Sequence, residues 1–280
     1  MRQTSRQPRS FVKMQAAGND FVVVDARKRA FAPEPALVRR LGNRHTGVGF
    51  DQLLVIGRGE GPVAFSYRIW NADGGEVEQC GNGARCLALL WATELKPGAG
   101  EFVIASAAGP VEARVAAGLA SVSMGVPEFA PLRIPLKATS EAHRYTIDTA
   151  SGPVELGAVS MGNPHAVITV DDAGAAPVET VGPAVEGHAA FPRRANVGFA
   201  QVMGRGHLAL RVWERGCGET EACGTGACAA VAVLRDRGEL DARVQVRLPG
   251  GTLVVEWPGR GESAWLSGPA SKVFEGTISL

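Results

Sequence analysis

Two stretches of the chain carry the same order of apolar and polar positions. VAFSYRIW at 63–70 reads as a strand, runs into a glycine-rich turn, and is followed by GARCLALLWATEL, whose apolar residues nearly surround a helix. HLALRVW at 207–213 leads in the same way into GACAAVAVLRDRGEL. A helix that is apolar on every side belongs in an interior, so each is expected at the centre of its own half. Turn clusters at AAGP and LPGG mark hairpins of short strands after each helix. PALVRRL, opened by Pro35 at a first helical position, reads as a short surface helix.

The likeness extends along the chain. IWNADGGEVEQCGNG (69–83) lies over VWERGCGETEACGTG (212–226) at an offset of 143, which matches Trp70 to Trp213, Glu76 to Glu219, Glu78 to Glu221 and Cys80 to Cys223. VGFDQL (48–53) lies over VGFAQV (197–202) at 149, and AGNDFVV over MGNPHAV at 144, where Asn19 meets Asn163. The six-residue drift is read as one loop insertion. Shared Trp, Glu and Cys are not turn residues, so the likeness is a duplication and not a coincidence of glycine turns. The expected fold is α+β: two halves related by a pseudo-twofold, each of mostly antiparallel strands wrapped around a central helix, with the active site in the cleft between them. The expected divisions are a disordered tail at 1–10, an N-terminal half at 11–126 completed by 271–280, and a C-terminal half at 127–270. The link falls in the proline- and glycine-rich GVPEFAPLRIP at 125–135.

Bulk properties remove whole classes of function. The formal net charge is +1, which gives nucleic acid or an anionic membrane nothing to bind. No apolar run approaches the roughly 20 residues that span a bilayer. The basic first ten residues lack an apolar core of the kind a secretory signal needs. With 45% apolar residues the core needs no staple, and five cysteines, an odd number, are expected as reduced thiols in the cytoplasm.

Those cysteines carry the chemistry. Cys80 and Cys223 each sit just before a predicted helix, where unpaired N–H groups and the helix dipole favour a thiolate. The GNG and GTG that follow are expected to bend so that successive amides face one anion. Two such thiols from pseudo-symmetric halves suggest one base and one acid on opposite faces of a carbon, which inverts a stereocentre with no cofactor. Cys86 and Cys228 lie inside the apolar helices and are read as inert, and Cys217 as structural. The spacings C-x5-C and C-x5-C-x4-C do not suit zinc, so no metal is expected. A Cys–His hydrolase built on His165 stays open but uses one cysteine and ignores the repeat. A binding protein with a Cys80–Cys223 disulfide switch also stays open.

NADGGEVEQCGNGARC and ERGCGETEACGTG closely resemble the two signature motifs of the diaminopimelate epimerase family, and GNDF, HTGVGFDQL, MGNPHAV, ANVGFAQV and LSGPASKVFEGTISL follow in that family's order. The resemblance covers residues 11 to 280. It implies conversion of LL-diaminopimelate to the meso form for lysine and peptidoglycan synthesis, without cofactor or metal. It implies catalytic thiols at Cys80 and Cys223, supported by His165 and Glu214. The implied substrate contacts are Asn19, Gln52, Asn71, Asn163, Asn196, Glu214 and Arg215, with Gly81 and Asn82 on one loop and Gly224 and Thr225 on the other. It also implies a homodimer with Phe274 at its interface, and a small-molecule substrate, diaminopimelate, as partner. Related two-thiol racemases act on proline or hydroxyproline. The Glu214–Arg215 pair favours a substrate with a second zwitterionic end.

Overall fold

The computed structural model describes residues 8–150 and 152–278, and these fall into two compact units, Met1–Val122 with Pro269–Leu280, and Ser123–Gly268. Of the expected tail, residues 1–7 lie outside the described residues. Arg9 and Ser10 do not belong to a tail: they open the first strand, because the Arg9 guanidinium donates to the carbonyls of Arg29 and Ala30 and stacks on Phe31. The first unit gives way to the second slightly earlier than expected. Met124 donates to the Ala264 carbonyl and Ala264 donates to that of Gly125, which ties the start of the linker to the second unit.

The first unit holds β1 (Arg9–Ala16), β2 (Asn19–Asp25), α1 (Pro35–Gly42), β3 (Gln52–Arg58), β4 (Val63–Asn71), β5 (Glu76–Val77), α2 (Gly81–Leu90), β6 (Glu101–Ser106), β7 (Gly109–Ala116) and β8 (Leu119–Ser123). The second holds β9 (Tyr145–Thr149), β10 (Gly152–Ser160), β11 (Pro164–Thr169), α3 (Val178–Glu186), β12 (Asn196–Gly204), β13 (His207–Glu214), β14 (Gly218–Thr220), α4 (Gly224–Asp236), β15 (Arg243–Leu248), β16 (Gly251–Glu256) and β17 (Trp265–Gly268). The chain then returns to the first unit as β18 (Ser271–Ile278).

Strand pairing repeats from unit to unit. The first runs β18–β1–β2–β3–β4–β6–β7–β8 and the second β9–β10–β11–β12–β13–β15–β16–β17, with β5 on β4 and β14 on β13. All these pairings are antiparallel except β2–β3, β4–β6, β11–β12 and β13–β15. A parallel pair needs a long crossover, and each of these four encloses one helix. The strands wrap α2 and α4: α2 packs on β1, β2, β7 and β18, and α4 on β10 to β13, β16 and β17. Burial explains why both helices read as apolar all round. Ala84, Cys86, Leu87 and Ala88 in α2 and Ala227 to Leu234 in α4 are almost wholly covered. α2 runs on as a π-helical turn, Trp91–Leu95, where the sequence suggested unbroken α-helix.

The register corrects one alignment. Phe21 pairs with Gln52, and His165 pairs with Asn196. Leu53 pairs with Trp70, and Val197 with Trp213. Gln52 therefore corresponds to Asn196, an offset of 144 (196 less 52), and no loop insertion intervenes. The two VGF triplets are unrelated: 48–50 is a loop folded back on α1, with Val48 and Gly49 donating to the Leu41 carbonyl, whereas 197–199 lies within β12. Among the described residues no helix is long and apolar enough to cross a membrane.

Candidate functional site

Each of the two cysteines caps the central helix of its unit. Cys80 and Cys223 have extended backbone, and each Sγ accepts the N–H three residues on, Gly83 at 3.5 Å and Gly226 at 3.4 Å. This is N-capping with sulfur in place of oxygen, and it satisfies a helix-end donor at the reactive atom. None of the flanking glycines Gly81, Gly83, Gly224 and Gly226 has positive φ. Gly83 and Gly226 are needed for space. A Cβ at Gly226 would lie 3.0 Å from Val212 Cγ2 and 3.3 Å from Cys223 Sγ, and one at Gly83 would lie 3.2 Å from Leu54.

In the first unit three of the expected site residues lie at strand ends. Asn19 opens β2, Gln52 opens β3 and Asn71 closes β4. The Cys80 thiol lies 3.8 Å from Asn19 Oδ1, and Gln52 Nε2 donates to Asn71 Oδ1 at 2.8 Å. Gln52 Oε1 is buried and has no partner among the described residues, which leaves an acceptor open at the site. Gly81 and Asn82 are buried in the first turn of α2, and the Asn82 side-chain carbonyl accepts from the Arg85 guanidinium at 2.7 Å.

In the second unit the corresponding residues lie at or beside strand ends. Glu214 closes β13, is held by the Thr220 hydroxyl, and lies against the Cys223 thiol. Burial first, and the Glu214 charge next, push the Cys223 thiol well above its ordinary value; the Thr225 hydroxyl at 3.5 Å and the Gly226 N–H pull the other way. Asn163 Oδ1 lies 3.0 Å from His165 Nε2. Burial, and then the Arg215 charge, lower the His165 pKa to about 3, so this imidazole is neutral at physiological pH. Asn196 is engaged at both ends of its amide, donating to the Pro164 carbonyl and accepting the Arg215 N–H, so it braces the loop that carries Arg215.

Two supporting groups escaped the reading of the sequence. Glu186, on α3, is buried and accepts from Trp213 Nε1 and Gly216 N–H, both at 2.7 Å, clamping the loop after Glu214. α3 itself carries Gly182 and Pro183, which hid it, and Gly182 is there because a Cβ would sit 2.7 Å from the Trp213 ring. The second group is an ion pair repeated at the same offset as the cysteines: Arg68–Glu76 and Arg211–Glu219, each doubly hydrogen-bonded. Only its glutamates were matched from the sequence, although the arginines stand at the same spacing. Among the described residues no group of three or more His, Cys, Asp or Glu is placed to hold a metal ion.

Known proteins align with this arrangement. The sequence profile of the diaminopimelate epimerase family matches residues 11–130 and 157–273. The chain is 52% identical over 274 residues to a diaminopimelate epimerase of Alkalilimnicola ehrlichii, covering 96% of this chain and 98% of that one. It is 50% identical over 272 residues to that of Chromobacterium violaceum, covering 96% and 99%. Among solved structures, a hydroxyproline epimerase from Agrobacterium vitis superposes with a TM-score of 0.71 at 16% identity, over 100% of this chain and 94% of that one, and shares the fold. A predicted epimerase from Pseudomonas aeruginosa does so at 0.68 and 22%, over 96% and 99%. With its repeated module, its two helix-capping cysteines and relatives at half identity over nearly its whole length, the chain belongs to the diaminopimelate epimerase family.

Proposed function

We propose that this protein epimerises LL-diaminopimelate to the meso form without a cofactor, in the cytoplasmic synthesis of lysine and peptidoglycan precursors, with Cys80 and Cys223 as the acid–base pair. The observation that carries the reading is the doubled helix-capping thiol, one per unit, in a chain whose half-identical relatives are named for this reaction. One thiolate takes the α-proton: the C–H bond breaks, an S–H bond forms, and the electron pair stays on carbon, spread into the carboxylate. The other thiol gives its proton to the opposite face and is left as thiolate. Nothing is oxidised or reduced.

The surrounding groups suit a doubly zwitterionic substrate. Glu214 and the open Gln52 Oε1 accept from ammonium groups, and the Arg215 guanidinium binds a carboxylate. The amides of Gly81, Asn82, Gly224 and Thr225 start helices and favour developing negative charge on the α-carboxylate. A substrate ammonium set against Glu214 offsets the charge that raises the Cys223 pKa, so binding itself favours the thiolate. Asn19, Asn71, Asn163 and Asn196 supply neutral donors and acceptors around both thiols, and neutral His165 holds Asn163.

The test is turnover of LL-diaminopimelate by wild type, Cys80→Ala and Cys223→Ala. Each variant is expected to lose at least about a thousandfold in epimerisation while staying folded. Wild-type exchange of the proline α-proton in deuterium oxide, with none for diaminopimelate, would reassign the substrate. A folded, fully active Cys80→Ala would end the two-thiol reading.

The protein is further proposed to act as a homodimer through β18. Among the described residues this strand pairs only with β1, and it exposes Val273 and Phe274, at 56% and 47%. Beside it runs a groove of about 490 Å³ lined by Phe11, Val12, Val23, Leu90, Leu95 and Gly276. A second copy offers the same edge and the same aromatic ring.

A further inference from the structure

The two repeats hold equivalent asparagines by opposite chemistry. In the first unit Asn19 Nδ2 donates to Asp51 Oδ2 at 2.8 Å. A carboxylate only accepts, so this bond dictates which end of the amide is nitrogen, and the other end, Oδ1, faces the Cys80 sulfur at 3.8 Å. Asp51 is itself fixed. Arg44 Nη2 donates to Asp51 Oδ1 and to Asp20 Oδ1, both at 2.7 Å, and Arg44 Nη1 donates to Asp20 Oδ2 at 3.0 Å. The Asp20 N–H donates to Asp51 Oδ2 and the Asp51 N–H to Asp20 Oδ1, both at 3.0 Å, and Lys13 holds Asp20 from below. Although burial works against it, the Arg44 and Lys13 bonds keep the Asp20 carboxyl well below the usual range, so the cluster stays charged.

The second unit has none of this. By strand register Lys13, Asp20 and Asp51 correspond to Ala158, Pro164 and Ala195, and Phe21 corresponds to His165, which takes over the Asn163 amide. The scaffold is repeated, and the anchor of the asparagine is not.

We propose that Asp51 is a positioning residue that locks the Asn19 amide so that its carbonyl, and not its NH2, meets the Cys80 sulfur. A carbonyl accepts an S–H and repels a thiolate, so the lock favours Cys80 as the thiol, the acid form, before substrate arrives. The consequence for turnover rests on the two-thiol reading. The lock itself does not, and it is read on Cys80 without substrate.

The experiment is alkylation of Cys80 by iodoacetamide across pH, followed peptide by peptide by mass spectrometry. In Asp51→Ala the acceptor is gone and the amide turns its NH2 to the sulfur. Cys80 is then expected to react about tenfold faster at neutral pH, equivalent to about one unit of pKa. Asp51→Asn loses the charge but keeps an acceptor oxygen, and Cys80 should react within about twofold of wild type. In an Asn19→Ala background, Asp51→Ala should add nothing. Equal acceleration in Asp51→Ala and Asp51→Asn would reveal a charge effect and overturn the proposal. So would no acceleration in Asp51→Ala, or an undiminished effect without Asn19. Should Asp51→Ala not fold, Asn19→Ala alone is decisive: faster alkylation of Cys80 supports the carbonyl contact, and unchanged or slower alkylation removes it. Loss of the epimerase reading would show separately, as wild-type enzyme with no turnover.

Discussion

Single residues set the proton inventory. Cys223 is held as thiol by burial and by Glu214, so the base form is lost as pH falls and gained as it rises. The kcat/KM of the direction that uses Cys223 as base should therefore climb from neutral into alkaline pH. In Glu214→Gln the like charge is gone and the same limb should move to lower pH, at reduced activity; a limb that stays in place would remove Glu214 as its cause. His165 behaves oppositely. Its folded pKa, about 3, lies below the ordinary 6.5, so the unfolded chain binds a proton that the native protein refuses. Stability should fall as pH drops through the interval between those values, by up to about 1.4 kcal/mol per unit from this group. Thermal melts at pH 7 and 4.5 of wild type and His165→Gln test this: the variant should show the smaller acid loss. No imidazole inflection near pH 6.5 should appear in the rate profile from this residue.

At the scale of the element, the two helix starts decide how well the thiols are placed. Gly226 carries the N–H that the Cys223 sulfur caps, and its missing side chain makes room for Val212 and the sulfur itself. Gly226→Ala should displace the thiol and cost about 1–3 kcal/mol in melting experiments, with a loss in kcat larger than that of Gly83→Ala, whose Cβ would find the Leu54 and Phe21 side chains nearest. Cysteine before an all-apolar helix, twice at one offset, was legible because both burial and capping leave marks in local sequence. The glycines were legible as necessary but not as to why: space and backbone freedom look alike in one letter. The VGF match misled because three identical residues fall in a loop in one repeat and in a strand in the other. Asp51, Arg44 and Glu186 were invisible, since their meaning comes from partners such as Asp20 and Trp213 brought up by the fold.

For the molecule as a whole, one β-wrapped helix module occurs twice, and function lies in how the copies differ. The first anchors its asparagine with carboxylates, the second with a neutral imidazole, on the same strand register. The first also carries β18, an edge strand with an exposed aromatic ring. Phe274→Glu should shift the sedimentation coefficient from dimer toward monomer at micromolar concentration, and an unchanged value would place the interface elsewhere. The central claim, that two thiols serve one carbon from opposite faces, is tested most directly by LL-diaminopimelate and wild-type enzyme in deuterium oxide, followed by NMR early in the reaction. The account predicts deuterium at the inverted α-carbon of the meso product while the remaining LL substrate keeps its protium. Deuterium entering recovered LL substrate as fast as meso product forms would contradict it, since a single group would then be removing and returning the proton.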